Sequence, residues 1–138
     1  MLAMEPLAVD EADYAEAEAA LAALAEQYPD YAAADVAQMK AHLAEIDANP
    51  ADAAAACEAL FAVAHNVKGQ GASFGYELMT ELGEALCERL RGKAALTAGE
   101  AASVRALVAA CDAVIAERLS GDGGPRGKAL LAAAGAAS

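Results

Sequence analysis

The stretch His65-Asn66-Val67-Lys68-Gly69-Gln70-Gly71-Ala72-Ser73-Phe74-Gly75 reads as the end of one amphipathic helix, and it decides how the rest of the chain is read. It sets a histidine, a lysine one turn later and two glycines inside a pattern that is otherwise helical. Each interior glycine costs roughly 1 kcal/mol against alanine, and this chain uses alanine almost everywhere else. A helix that only had to pack would not choose glycine at 69 and 71.

At about 100° per residue, Leu60, Val63, Ala64, Val67, Gly71 and Phe74 cluster around one direction, the predicted buried face. His65 falls about 140° from its centre and Gly69 about 180° on the same wheel. Glu58, Ala62 and Ala72 share that outer side, with Phe61 and Lys68 on its shoulder. The pattern therefore predicts an exposed His65 whose neighbours Ala62, Gly69 and Ala72 are small, with exposed Phe61 and Lys68 side chains beside it. Gly71 faces inward, where its role is close packing.

Working outward, a first helix is predicted over about Asp10 to Tyr28, with Tyr14, Ala17, Leu21, Leu24 and Tyr28 on one stripe. Pro29 is expected to end it, and Asp30 to cap a second helix that buries Val36, Met39, Leu43 and Ile46. Asn49-Pro50 is a helix restart, with Asn49 as the cap and Pro50 at the first position. That third helix carries the quoted stretch to about Phe74, and Gly75 closes it. A fourth runs from about Tyr76 to Arg91, stopped by Gly92. Thr97-Ala98-Gly99-Glu100 is a capping box for a fifth, which turns Val104, Leu107, Val108, Cys111, Ile115 and Leu119 to one side.

Short connections between long amphipathic helices favour antiparallel neighbours. The predicted fold is all-α: an antiparallel up-down four-helix bundle with an additional N-terminal helix. It occupies residues 1–120, with its core over about 30–119. Gly121-Asp122-Gly123-Gly124-Pro125 is a break, and 121–138 form a tail, flexible or short-helical.

The 138 residues suffice for one domain, and their formal net charge is −12. Such a surface repels phosphate backbones, which argues against nucleic-acid binding. Cys57, Cys87 and Cys111 are odd in number, lie in apolar helix patterns and lack metal-ligand spacing. They predict reduced, mostly buried thiols and a cytoplasmic protein rather than a disulfide framework. No run is long and charge-free enough for a membrane span, and no signal peptide is expected.

An imidazole in its neutral form keeps a free lone pair on one ring nitrogen. That nitrogen is a competent nucleophile toward phosphorus. Lys68, three residues on, can neutralise a phosphoryl oxygen as a mobile point charge. Gly69 removes the side chain that would fence the ring, leaving room for a partner's cleft. His42, in Lys40-Ala41-His42-Leu43-Ala44 with no glycine nearby, reads as an ordinary surface or boundary histidine.

Ala64-His65-Asn66-Val67-Lys68-Gly69-Gln70-Gly71-Ala72-Ser73-Phe74-Gly75 resembles the signature of histidine-containing phosphotransfer (HPt) domains: histidine, two residues, lysine, glycine, then a second glycine after a hydrophobic residue. The resemblance spans about residues 30 to 119. It implies a phosphorelay carrier that exchanges a phosphoryl group with receiver-domain aspartates. It makes His65 the phosphoryl acceptor and Lys68 its charge partner, with Phe61, Ala62, Gly69 and Ala72 on the surface that meets the partner. It implies partners among response-regulator receiver domains and a hybrid or chemotaxis-type histidine kinase. It implies no cofactor of the chain's own, the receiver supplying Mg²⁺; with no Walker-type glycine-rich phosphate loop and no catalytic aspartate–asparagine set in the sequence, no autonomous kinase activity is expected.

The segment is also similar to the phosphorylated N-terminal domain of chemotaxis histidine kinases. In those, a glutamate on the next helix contacts the histidine, and here that position falls at Cys87. Glu77, Glu81, Glu84 and Glu88 share one stripe, read as a solvated face, with Glu84 and Glu88 as weak supporting candidates for the site. The alternatives are therefore the phosphoacceptor domain of such a kinase, or a helical adaptor with an inert histidine.

Overall fold

The computed structural model describes residues 11–136. Its helices are α1 (Glu11–Ala48), α2 (Ala54–Gly71), α3 (Glu77–Leu90), α4 (Ala98–Ala116) and α5 (Gly124–Ala133), with no strand among the described residues. α2 packs on α1, α3 on α2 and α4 on α3, and α4 returns to α1. The expected all-α bundle is thus built from α1 to α4. Its core includes Val36, Met39, Leu43 and Ile46 from α1 and Leu60, Ala64 and Val67 from α2. Opposite them lie Leu78, Leu82 and Leu86 from α3 and Val104, Leu107, Cys111 and Val114 from α4.

The expected break at Pro29 is corrected. The first two predicted helices are one, and Pro29 sits buried inside it. An interior proline costs about 3 kcal/mol through its missing N–H and its clash with the preceding turn. Running on as a helix carries Tyr28 into an aromatic cluster at the end of the bundle. Its ring lies 5.3 Å from Phe74 and 4.9 Å from Tyr76. Full burial of such a side chain is worth about 1.5–3 kcal/mol, and each aromatic pair adds about 0.5–1.5 kcal/mol, enough to offset the proline. The Arg118 guanidinium also donates to the Glu26 carbonyl in the turn before the proline, at 3.4 Å.

The stripe Tyr14, Ala17, Leu21, Leu24, Tyr28 is corrected with it. From Glu11 to Gln27 every residue is exposed except the half-buried Ala25, so this half of α1 runs past the end of the bundle. Tyr14, Leu21 and Leu24 are uncovered, and only Tyr28 reaches the core.

Asn49 does not cap α2 with its side chain. Pro50–Asp52 form a separate 3₁₀ turn, and α2 starts at Ala54. The capping box of α4 forms as read: Thr97 Oγ1 accepts from the Glu100 N–H at 3.1 Å, and Glu100 Oε1 accepts from the Thr97 N–H at 2.9 Å.

Residues 121–136, open between flexible and helical in the sequence, turn into α5. Two hydrogen bonds tie its leading turn to the turn after α2 and to the start of α3: Gly121 N–H to the Gly75 carbonyl at 2.6 Å, and Leu78 N–H to the Gly121 carbonyl at 2.9 Å. Arg126 holds Glu117 with two bonds of 2.9 and 2.8 Å. The Arg89 guanidinium reaches the Gly135 carbonyl at 2.9 Å. All three thiols are free and buried. Burial pushes each of them up, that of Cys111 to about 12.

Candidate functional site

The site lies on the outer side of α2, between its neighbours α1 and α3. Leu60, Ala64, Val67 and Gly71 turn inward, which leaves His65 exposed. A Cβ built on Gly69 would have no atom within 4 Å, so the space beside the histidine is open. Ala62 and Ala72 are exposed on the same side.

Phe61 departs from expectation. It is half-buried and packs against the core. Its ring lies 6.3 Å from that of His65 with an interplanar angle of 17°. The imidazole therefore rests over an aromatic face anchored in the bundle. Lys68 is also less exposed than its wheel position suggests. Its side chain is 32% exposed and Nζ lies 3.5 Å from Glu84 Oε2 on α3. A half-exposed pair of this length is worth at most about 1 kcal/mol, so the ammonium is free to change partner. Glu84 thus joins the site, whereas Glu77, Glu81 and Glu88 are exposed and have no ion-pair partner among the described residues.

Asn66 faces the other way, and its Nδ2 donates to Asp35 Oδ2 on α1 at 3.5 Å. Desolvation pushes the Asp35 carboxyl up, and the Asn66 bond pulls it partly back. Cys87 is buried. Its burial raises the thiol, and the nearby Lys68 ammonium draws it partly down. His42 is half-buried; its Nδ1 lies 3.5 Å from Glu45 Oε1 but has no hydrogen-bond partner. It lies on α1 at the boundary between core and surface, where the sequence places it.

Two residues of α3 complete the local architecture and went unread in the sequence. Thr80 Oγ1 donates to the Lys68 carbonyl at 2.9 Å and accepts from the Ala72 N–H at 2.7 Å. Gly83 lets α3 approach the lysine backbone: a Cβ there would stand 2.6 Å from Lys68 N and 2.8 Å from its Cα. Gly83 was findable, because an interior glycine in an alanine-rich helix is the same signal as Gly71. Nothing in the sequence points Thr80 across to another helix.

The end of α2 is closed by Gly75, in the left-handed region at φ 81°. The Tyr76 N–H reaches the Gly71 carbonyl at 2.8 Å, and the Gly75 N–H reaches that of Ala72 at 3.1 Å. This double bond pattern is the Schellman closure that favours glycine.

The family model described as Hpt domain matches residues 15–117, most of the chain. No curated protein and no solved structure matches it significantly. No helix among the described residues is long and apolar enough to cross a membrane.

Proposed function

We propose a role that starts from one premise: the chain belongs to the Hpt domain family. In that role His65 takes a phosphoryl group from the aspartyl phosphate of a response-regulator receiver domain and returns it to the aspartate of another. The lone pair of an imidazole nitrogen forms the N–P bond as the acyl-phosphate P–O bond breaks and the carboxylate leaves. Lys68 swings from Glu84 to a phosphoryl oxygen. Gly69, Ala62, Ala72 and the edge of Phe61 give the receiver a low surface to sit on. The receiver brings Mg²⁺, and a histidine kinase feeds the relay in the cytoplasm.

The observation that carries this reading is the open space over Gly69 beside an exposed imidazole. Phosphoryl transfer needs positioning and charge stabilisation more than covalent help. A supported nucleophile with clear access and one mobile cation is what this chain has to contribute. At the position where chemotaxis kinase domains carry a glutamate, the chain has a buried thiol. A thiol does not orient an imidazole as a carboxylate does, which favours a carrier over a chemotaxis-type phosphoacceptor.

The test is incubation with a radiolabelled phosphorylated receiver domain, and separately with ATP and a chemotaxis kinase core. Label should move from the receiver and be acid-labile and alkali-stable. His65→Gln should abolish it while the helical circular dichroism stays intact. Label that survives this substitution would refute the assignment of His65. Receiver binding without any transfer would favour the adaptor.

A further inference from the structure

We propose that Thr80 is a positioning residue for transfer at His65, acting through Lys68; this rests on the carrier reading above. A threonine inside a helix ordinarily bonds a carbonyl of its own preceding turn or faces water. This hydroxyl instead crosses to the neighbouring helix and bridges the Lys68 carbonyl and the Ala72 N–H. These two groups flank the last turn of α2, where the chain tightens into the 3₁₀ turn Ala72–Phe74.

Two glycines make room for that bridge. A Cβ on Gly71 would lie 2.7 Å from both the backbone nitrogen and Oγ1 of Thr80. Gly83, one turn further along α3, brings its backbone against Lys68 N and Cα. The lysine backbone is thereby held at its nitrogen and Cα by contact and at its carbonyl by a hydrogen bond. Its ammonium pairs with Glu84 at 3.5 Å. The root of the lysine is fixed and its ammonium is left mobile. That suits a cation which must meet a phosphoryl group at one place after travelling a short distance. Apolar packing between α2 and α3 would not require a hydroxyl here.

The experiment measures single-turnover transfer from a phosphorylated receiver domain, at saturating receiver, to the wild type and to Thr80→Val, Thr80→Ser, Lys68→Ala and the double variant Lys68→Ala/Thr80→Val. Rates are taken where each variant is folded by circular dichroism. Misplacing a reacting group by about 1 Å can cost up to about a hundredfold, so Thr80→Val should be slower by about tenfold with receiver affinity unchanged. Thr80→Ser should stay within about twofold, and in the Lys68→Ala background Thr80→Val should cost nothing more. If Thr80→Val does not fold, Thr80→Ser against Thr80→Ala isolates the hydroxyl, and the serine variant should be the faster by a similar factor. Wild-type rates in both hydroxyl-free variants would overturn the proposal. So would an equal loss with and without Lys68, the mark of a merely structural role. A wild type that takes no label brings down the carrier reading itself, and this proposal with it.

Discussion

Gly69 and Gly71 stand two residues apart on one helix and are absences of opposite kinds. Around Gly69 there is nothing for a side chain to meet; around Gly71 a Cβ would strike Thr80 and the Tyr76 carbonyl at 2.7–2.8 Å. The inward glycine is explained by the chain's own packing. The outward one is not, because alanine there would favour the helix by roughly 1 kcal/mol. A residue held against the stability of its own fold points to something outside it, which under the proposed function is a docking receiver.

The comparison breaks if the two positions respond alike. The largest effect is expected from Gly71→Ala. Overpacking against atoms that cannot move aside costs about 3 kcal/mol, less the gain of about 1 kcal/mol in helix propensity. A net loss of about 2 kcal/mol should appear as a lower urea midpoint with an unchanged slope. Gly83→Ala meets the Lys68 backbone in the same way and should lose about 2 kcal/mol by the same balance. That variant should also slow transfer, because it shifts the root of the lysine.

Gly69→Ala should leave stability unchanged or raised by up to about 1 kcal/mol, while weakening receiver binding. Gly69→Gln should weaken it further with the fold intact. A Gly69→Ala protein that melts early, or binds a receiver at full strength, would erase the distinction between the two sites.

The smallest effect comes from a control remote from both. The Lys93 ammonium and the Thr97 N–H hold the Glu100 carboxyl down at about 2, against an ordinary 4.5. Its folded pKa is depressed, so its contribution is complete above about pH 4.5 and fades as the pH falls toward 2. Glu100→Gln should remove a slight acid sensitivity from the stability curve and leave transfer unchanged.

Legibility from the sequence followed the range of the interactions. The inward faces of α2 and α4 were readable because helical periodicity is local. The outward placing of His65 followed from the same wheel. The capping box at Thr97 was equally local. Pro29 was misread because its cost is local, whereas the aromatic cluster that offsets it lies some 45 residues away at Phe74 and Tyr76. Phe61 and Lys68 came out less exposed because α3 and the core cover part of each, and no single-helix projection contains a neighbour. Thr80 was invisible for the same reason. The tail stayed open because its anchors, Gly75, Leu78, Arg89 and Glu117, all lie on other segments.

The three thiols divide themselves among the elements of the bundle: Cys57 in α2, Cys87 in α3 and Cys111 in α4. Each is sealed from solvent in the folded chain. A thiol reagent can reach one only when its helix opens, so the rate at which each cysteine is modified becomes a clock for local unfolding, helix by helix. The chain carries its own reporters, and peptide mapping of the modified thiols would time the opening of the helix that bears His65 separately from those of α3 and α4.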